Sequence, residues 1–270
     1  MAVFKNNGKF GFIDEYGNIL INAIYDDAIP FSEELAAVRR EEKWGFIEKS
    51  GKETIPPEYD DVYSFNEGVA KVEYNEQYKF IDKHNNTLIK ERYQAIDCFS
   101  EGYAAVMENN KWGYIDLKGN VLIKPQFDYC YEFSENLAAV QIEDKWGYIN
   151  KDGEIVIICK FDSVYPFYEG LASVCIDKKR FYIDIKGNIA NNQLFESCGY
   201  FSDGWALVKV FGEKYFINKK GEVVLDKKSI RARYPYDFFS NYFNGLADIE
   251  SKGRFGYVNR NGEIIWKPTK

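Results

Sequence analysis

Histidine is almost missing from these 270 residues: His84 stands alone. A Ser-His-Asp or Cys-His system would have to use it. Yet it lies in DKHNNTL, at the tip of an expected hairpin. The zinc-protease signature HExxH, the Walker phosphate loop and the dinucleotide fingerprint GxGxxG are absent as well. Cysteine is sparse and unpaired in pattern. The five residues Cys98, Cys130, Cys159, Cys175 and Cys198 are odd in number and never form CxxC. They read as reduced, buried or half-buried thiols, not as a disulfide framework or a metal site. No apolar run approaches the roughly 18 residues needed to cross a bilayer. The opening MAVFKNNGKF lacks the apolar stretch of a secretory leader. Basic residues are outnumbered, 35 to 42, for a net charge of −7 and a pI near 5.1, which opposes general binding to a phosphate backbone. The expectation is a cytoplasmic, non-enzymatic chain with no cofactor, and with neither nucleic acid nor membrane as partner.

What the chain has in excess is aromatic side chains: 21 Phe, 21 Tyr and 5 Trp. Such side chains pack well on a pleated surface, so their abundance favours strands. They also recur on a fixed beat. Ile13, Ile47, Ile81, Ile115, Ile149, Ile183 and Ile217 are spaced by 34 residues, and Val258 follows after 41. Each is preceded by Phe or Tyr. A second column runs through the first Ala of LAAV: Ala2, Ala36, Ala70, Ala104, Ala138, Ala172, Ala206 and Ala247.

A 34-residue period is also that of a helical repeat, but the punctuation excludes helix. A Gly stands three residues after the polar residue closing WGYID, at Gly17, Gly51, Gly119, Gly153, Gly187, Gly221 and Gly262. Asn85 replaces it once, and Asn is the next best residue for positive φ. Gly here and in WG would be costly inside a helix. Between two apolar runs it marks a tight hairpin turn. Each repeat then supplies three short strands, read from LAAV, WGYI and VLI. Trp112 and Tyr114 point one way, Gly113 and Ile115 the other, so both faces of the middle strand need cover from neighbouring repeats.

The fold class is therefore all-β: a tandem array of about eight 34-residue, three-stranded antiparallel meanders. The approximate repeats are 1–34, 35–68, 69–102, 103–136, 137–170, 171–204, 205–245 and 246–270, forming a single array over 1–270. Three strands per repeat favour an open, curved or superhelical stack. A closed eight-bladed β-propeller is the alternative.

The combination KWGYIDxxGxxVI, then an aromatic-acid pair, then FSEGLAAV, resembles the WG-containing repeat family of bacterial proteins over essentially the whole chain. The resemblance implies an all-β repeat module with no common catalytic activity, and it carries over no functional residues. Trp-Gly itself is lost at Tyr78-Lys79, Arg180-Phe181 and Lys214-Tyr215, which weighs against chemistry performed by that dipeptide.

Two candidate sites follow. A seven-residue insertion near 226–235 gathers Lys227, Lys228, Arg231 and Arg233 on an otherwise acidic chain, a docking point for an acidic partner if it is more than a tolerated surface loop. Trp44, Trp112 and Trp146 are candidate aromatic contacts. The functional expectation is a scaffold that binds another protein. The alternative is a binder of a small ligand or glycan through exposed aromatics.

Overall fold

The computed structural model describes residues 1–14, 16–89, 93–226, 237–238, 242, 245–251 and 254–266. Its described residues are strands and turns without a helix, arranged in eight small antiparallel sheets. The second sheet shows the pattern, with strands Asp27–Ala28, Leu35–Arg40, Lys43–Glu48 and Glu53–Tyr59 side by side in chain order. The Ala and Ile columns are cross-strand partners: Ala2 faces Ile13, Ala36 faces Ile47, Ala138 faces Ile149, and Ala247 faces Val258.

The strand count differs from expectation. Among the described residues six sheets have four strands, and the first and sixth have three. The added strand precedes LAAV and comes from what read as loop. It is often two residues long, as at Asp61–Val62 and Ser163–Val164, too short to show alternation in sequence. A four-stranded antiparallel meander is the blade of a β-propeller. The ground on which the open stack was preferred therefore falls, and the sheets are those of the alternative, eight blades.

Contacts gather the chain into two compact units, Met1–Gln126 and Phe127–Lys270. Within the first, Trp44, Phe46 and Tyr59 of the second sheet share a core cluster with Val62, Phe65 and Val72 of the third. The opposite face of the second sheet, Ala36, Val38 and Ile47, packs on Phe12, Ile21 and Tyr25 of the first. Both faces of a middle strand are thus covered by neighbouring sheets. Within the second unit, Trp146, Tyr148 and Phe161 pack on Val164, Phe167 and Val174.

The packing has a repeated aromatic joint. The ring that precedes the column Ile meets the Phe of the next FSEG edge-on. Phe46 and Phe65 have centroids 4.8 Å apart at 65°, and Tyr148 and Phe167 are 4.8 Å apart at 61°. Such T-shaped pairs place a positive ring edge on a negative face. At Tyr148 and Tyr182 the hydroxyl donates to a backbone carbonyl that follows the first strand of the next sheet. Tyr148 Oη reaches Tyr165 O at 2.8 Å and Tyr182 Oη reaches Gly199 O at 2.7 Å.

The Gly of WG has a steric cause. A Cβ at Gly113 would lie 2.5 Å from Ile123 O and Pro125 N, and one at Gly45 would lie 2.5 Å from Ile55 O. The seven-residue outer strands, Glu53–Tyr59 and Val121–Phe127, cross these glycines backbone to backbone. Repeats that replace the Gly lack such a strand among the described residues. Thr87–Ile89 and Val223–Leu225 span three residues, and the sixth sheet ends at Lys179–Asp184. Phe181 and Tyr215 occupy the vacated side and pack against the core.

Turns follow the same economy. The hairpins after LAAV place both central residues at positive φ, as at Glu41 (50°) and Glu42 (66°) or Asn109 (52°) and Asn110 (59°). This is the twist-matched type I′ geometry. In the DxxG turn, Asp116 Oδ1 accepts from the backbone N–H of Lys118 and Asn120, while Asn120 Nδ2 donates to Oδ2. Asn150 and Glu154 exchange the parts: Asn150 Oδ1 accepts the backbone bonds and its Nδ2 donates to Glu154 Oε2.

Candidate interaction surfaces

The carboxylate columns are occupied by architecture. Asp26, Asp60 and Asp162 each take one cation and one turn amide. Lys9 Nζ meets Asp26 Oδ1 at 2.5 Å and the Glu41 N–H donates to Oδ2. Lys145 and the Asp177 N–H do the same for Asp162, and Lys43 and the Asn75 N–H for Asp60. The lysine first, and then the amide, hold each of these carboxyls below the usual range. A second set links neighbouring FSEG turns. Glu33 accepts from the N–H of Gly68, Glu67 from Gly102, Glu135 from Gly170 and Glu169 from Gly204. Lys83 closes on Glu33 at 3.1 Å and Lys219 on Glu169 at 3.1 Å. These acids bind the chain to itself.

His84 sits exposed on its turn, its backbone N–H donated to Asp82 Oδ1. Among the described residues no three His, Cys, Asp or Glu side chains cluster as metal ligands. None of the five thiols is in a disulfide, and Cys130, Cys175 and Cys198 are buried. Burial pushes the Cys198 thiol up to about 11, far from a reactive thiolate.

Of the two sets of sequence candidates, the structure describes only the tryptophans. Lys227, Lys228, Arg231 and Arg233 lie outside the described residues. Trp44 and Trp146 are each 9% exposed, and Trp112 is half-buried. Trp44 carries Arg39 above its ring at 5.7 Å.

A surface that sequence reasoning missed lies on the second unit. Tyr129, Tyr131 and Tyr165 are 45%, 37% and 47% exposed. Tyr131 stacks on Trp146, with centroids 4.8 Å apart at 11°, and Tyr129 meets both rings at 5.9 Å. On the same unit Tyr168 and Tyr200 lie 4.9 Å apart, with Glu132 near the Tyr168 hydroxyl. Two recesses open at broken copies of the motif. One of about 200 Å3 is lined by Tyr78, Lys79, Ile89 and Tyr93. The other, about 320 Å3, is lined by Phe195, Val208, Tyr215 and Val223.

The repeat pattern that builds these surfaces also has relatives. The WG containing repeat matches at residues 10–44, 44–78, 80–112, 112–146, 146–179 and 181–215. The chain belongs to the WG containing repeat family. No curated protein matches it. Solved structures do. A eukaryotic initiation factor is 12% identical with a TM-score of 0.58, over 87% of this WG-repeat chain and 72% of its own. Hsv2p of Kluyveromyces lactis is 8% identical with a TM-score of 0.50, over 87% and 94%. Hsv2 of Kluyveromyces marxianus is 7% identical with a TM-score of 0.51, over 84% and 89%. At these identities the likeness is one of fold. It places the eight small sheets of this WG-repeat protein among known all-β folds and transfers no residue roles.

Proposed function

We propose that this WG-repeat protein is a non-enzymatic scaffold that binds another protein. The observation that carries the reading is the contrast between two kinds of side chain. The acids at recurring positions are engaged by lysines and turn amides. Large rings outside those positions, Tyr129, Tyr131 and Tyr165 among them, face solvent. Clustered exposed aromatics with a polar rim are the composition of protein interaction sites. The fold likeness to the initiation factor and to Hsv2p supports the scaffold at the level of architecture.

Affinity capture on the intact chain in its native host, followed by mass spectrometry, identifies candidate partners. The test itself is direct binding of a purified candidate, saturable and at one stoichiometry. Candidates that fail to bind once purified overturn the reading.

The small-ligand reading keeps one specific observation, the apolar recess of about 320 Å3 at Phe195 and Tyr215, within the volume range of ligand sites. Burial of Trp44 and Trp146 removes two of the three rings a glycan would have used. Titration with sugars, followed by tryptophan fluorescence, checks this reading. A saturable spectral change favours it, and an unchanged spectrum sinks it.

A further inference from the structure

We propose that Tyr129, Tyr131 and Tyr165, backed by Trp146, form a platform for arginine side chains on a basic segment of the protein partner. The inference deepens the scaffold reading and rests on it.

The chain contains its own precedents, because repeats let one copy show what a position accommodates in another. Trp44, Tyr78 and Trp146 stand in the same column. Over Trp44 lies Arg39. Over Tyr78 lies Lys71, at 4.5 Å from the centroid, and the same Nζ is 5.2 Å from Tyr63. Tyr63 is the counterpart of Tyr131, two repeats earlier. Rings at this place on a sheet therefore take a cation on their faces. In the fifth sheet the two columns that supply it hold Ala139 and Gln141, in place of Lys71 and Arg39.

The acids change in step. Asp61 and Asp97 act on the Tyr63 hydroxyl in the earlier copy, and their counterparts two repeats on are Tyr129 and Tyr165. A charged arrangement has thus been replaced by a ring-lined one, in which Tyr131 stacks on Trp146 and three tyrosines remain partly exposed. Among cations, guanidinium suits such a place best. It is planar, stacks on rings and is weakly hydrated, whereas a bare ammonium is strongly hydrated and favours a carboxylate. The net charge of −7 adds long-range attraction for a basic segment.

The experiment uses the full chain and a fluorescently labelled oligo-arginine peptide, read by anisotropy, with oligo-glutamate as the control. The parent binds oligo-arginine and not oligo-glutamate. Replacing both Tyr131→Leu and Tyr165→Leu, which leaves net charge unchanged at exposed positions, weakens binding by about tenfold. The pair Tyr131→Phe and Tyr165→Phe keeps the ring faces and stays within about twofold of the parent. An unaltered melting temperature for each variant establishes folding. Equal affinity of the Leu variant and the parent overturns the proposal, because the attraction would then be general charge alone. No oligo-arginine binding by the parent overturns it as well. The scaffold reading fails separately. A purified partner that binds parent and Leu variant equally removes the platform and leaves the scaffold standing.

Discussion

Gly113→Ala is the sharpest perturbation of the fold, because it adds one methyl group at a position whose backbone φ needs no glycine. In solution such a change would ordinarily stabilise by about 0.4–1 kcal/mol, through lower unfolded-chain entropy. The structure reverses the sign. The new Cβ falls 2.5 Å from Ile123 O, 2.5 Å from Pro125 N and 2.8 Å from Lys124 C, against ordinary contact at 3.4 Å and beyond. Relief requires the outer strand Val121–Phe127 to retreat by about 0.9 Å at its closest atoms. All three atoms are backbone, so no rotamer change can absorb the clash.

Overpacking of this kind costs about 1–3 kcal/mol. With the entropy gain subtracted the net loss reaches at most about 2.6 kcal/mol and centres on about 1.3 kcal/mol, a fall in melting temperature of about 3–5 °C for a chain of this size. Thermal unfolding by near-ultraviolet dichroism measures it, and hydrogen exchange across 121–127 locates it. Phe181→Gly is the converse variant. It deletes a ring packed on the core where no outer strand waits to close in, so it too destabilises. A Gly113→Ala protein that melts at or above the parent would refute the close-approach account of the WG glycine.

Other outcomes follow from the same geometry. Asp116→Asn removes the carboxylate that organises its turn and costs about 0.5–1.5 kcal/mol, whereas adding Asn120→Glu recreates the Asn150 and Glu154 arrangement and recovers most of the loss in urea unfolding. Phe167→Ala, which empties a fully buried site, lowers unfolding free energy by about 3–5 kcal/mol. Tyr148→Phe, a residue native to that column, costs only about 1 kcal/mol for the bond to Tyr165 O. Asp26, Asp60 and Asp162 are held below the ordinary aspartate value of 3.8, first by their lysines and then by turn amides. Their folded-state pKa values are depressed, so their contribution is present above 3.8 and is lost as pH falls through the folded values. Acid unfolding followed by dichroism should show a shallower pH dependence below 3.8 in Asp60→Asn.

Much of this fold can be read from the columns because the period is strict. Ala138 opposite Ile149 and Ala36 opposite Ile47 are the two most regular columns, and each places a small residue against a branched one in a layer covered on both faces. The strand before LAAV is illegible because two residues such as Ser163–Val164 cannot display alternation. The WG glycine shows only as a residue unfit for helix. Its steric cause lies in the crossing of a strand about ten residues further on, which no local pattern records. The tyrosine platform was legible in principle. Reading down the columns shows Lys71 give way to Ala139 and Asp97 to Tyr165, but a search for recurrent residues passes over positions that differ between copies. The basic insertion with Lys227 and Arg231 was conspicuous in sequence and lies outside the described residues.

Repetition separates what a position does for the fold from what it is available to do otherwise. Asp26, Asp60 and Asp162 recur because each repeat has the same turn amide and the same lysine to satisfy, and a side chain so engaged has little left to offer a partner. Tyr129 and Tyr165 stand where Asp61 and Asp97 stand in an earlier copy, and the two middle strands beneath pair in the same register in both, although the strand carrying Asp61 has two residues and the one carrying Tyr129 has six. The shared register does not demand the exchange, since the acidic version folds on it within the same chain. Exposing two rings in place of two carboxylates also works against solubility. A substitution that the shared register does not require and that hydration disfavours is what the proposed platform for a basic segment would account for. Positions where one repeat departs from its neighbours on an exposed face are thereby singled out, and Tyr165→Asp is the instructive variant: stability equal to the parent, with weaker binding of oligo-arginine despite the added negative charge.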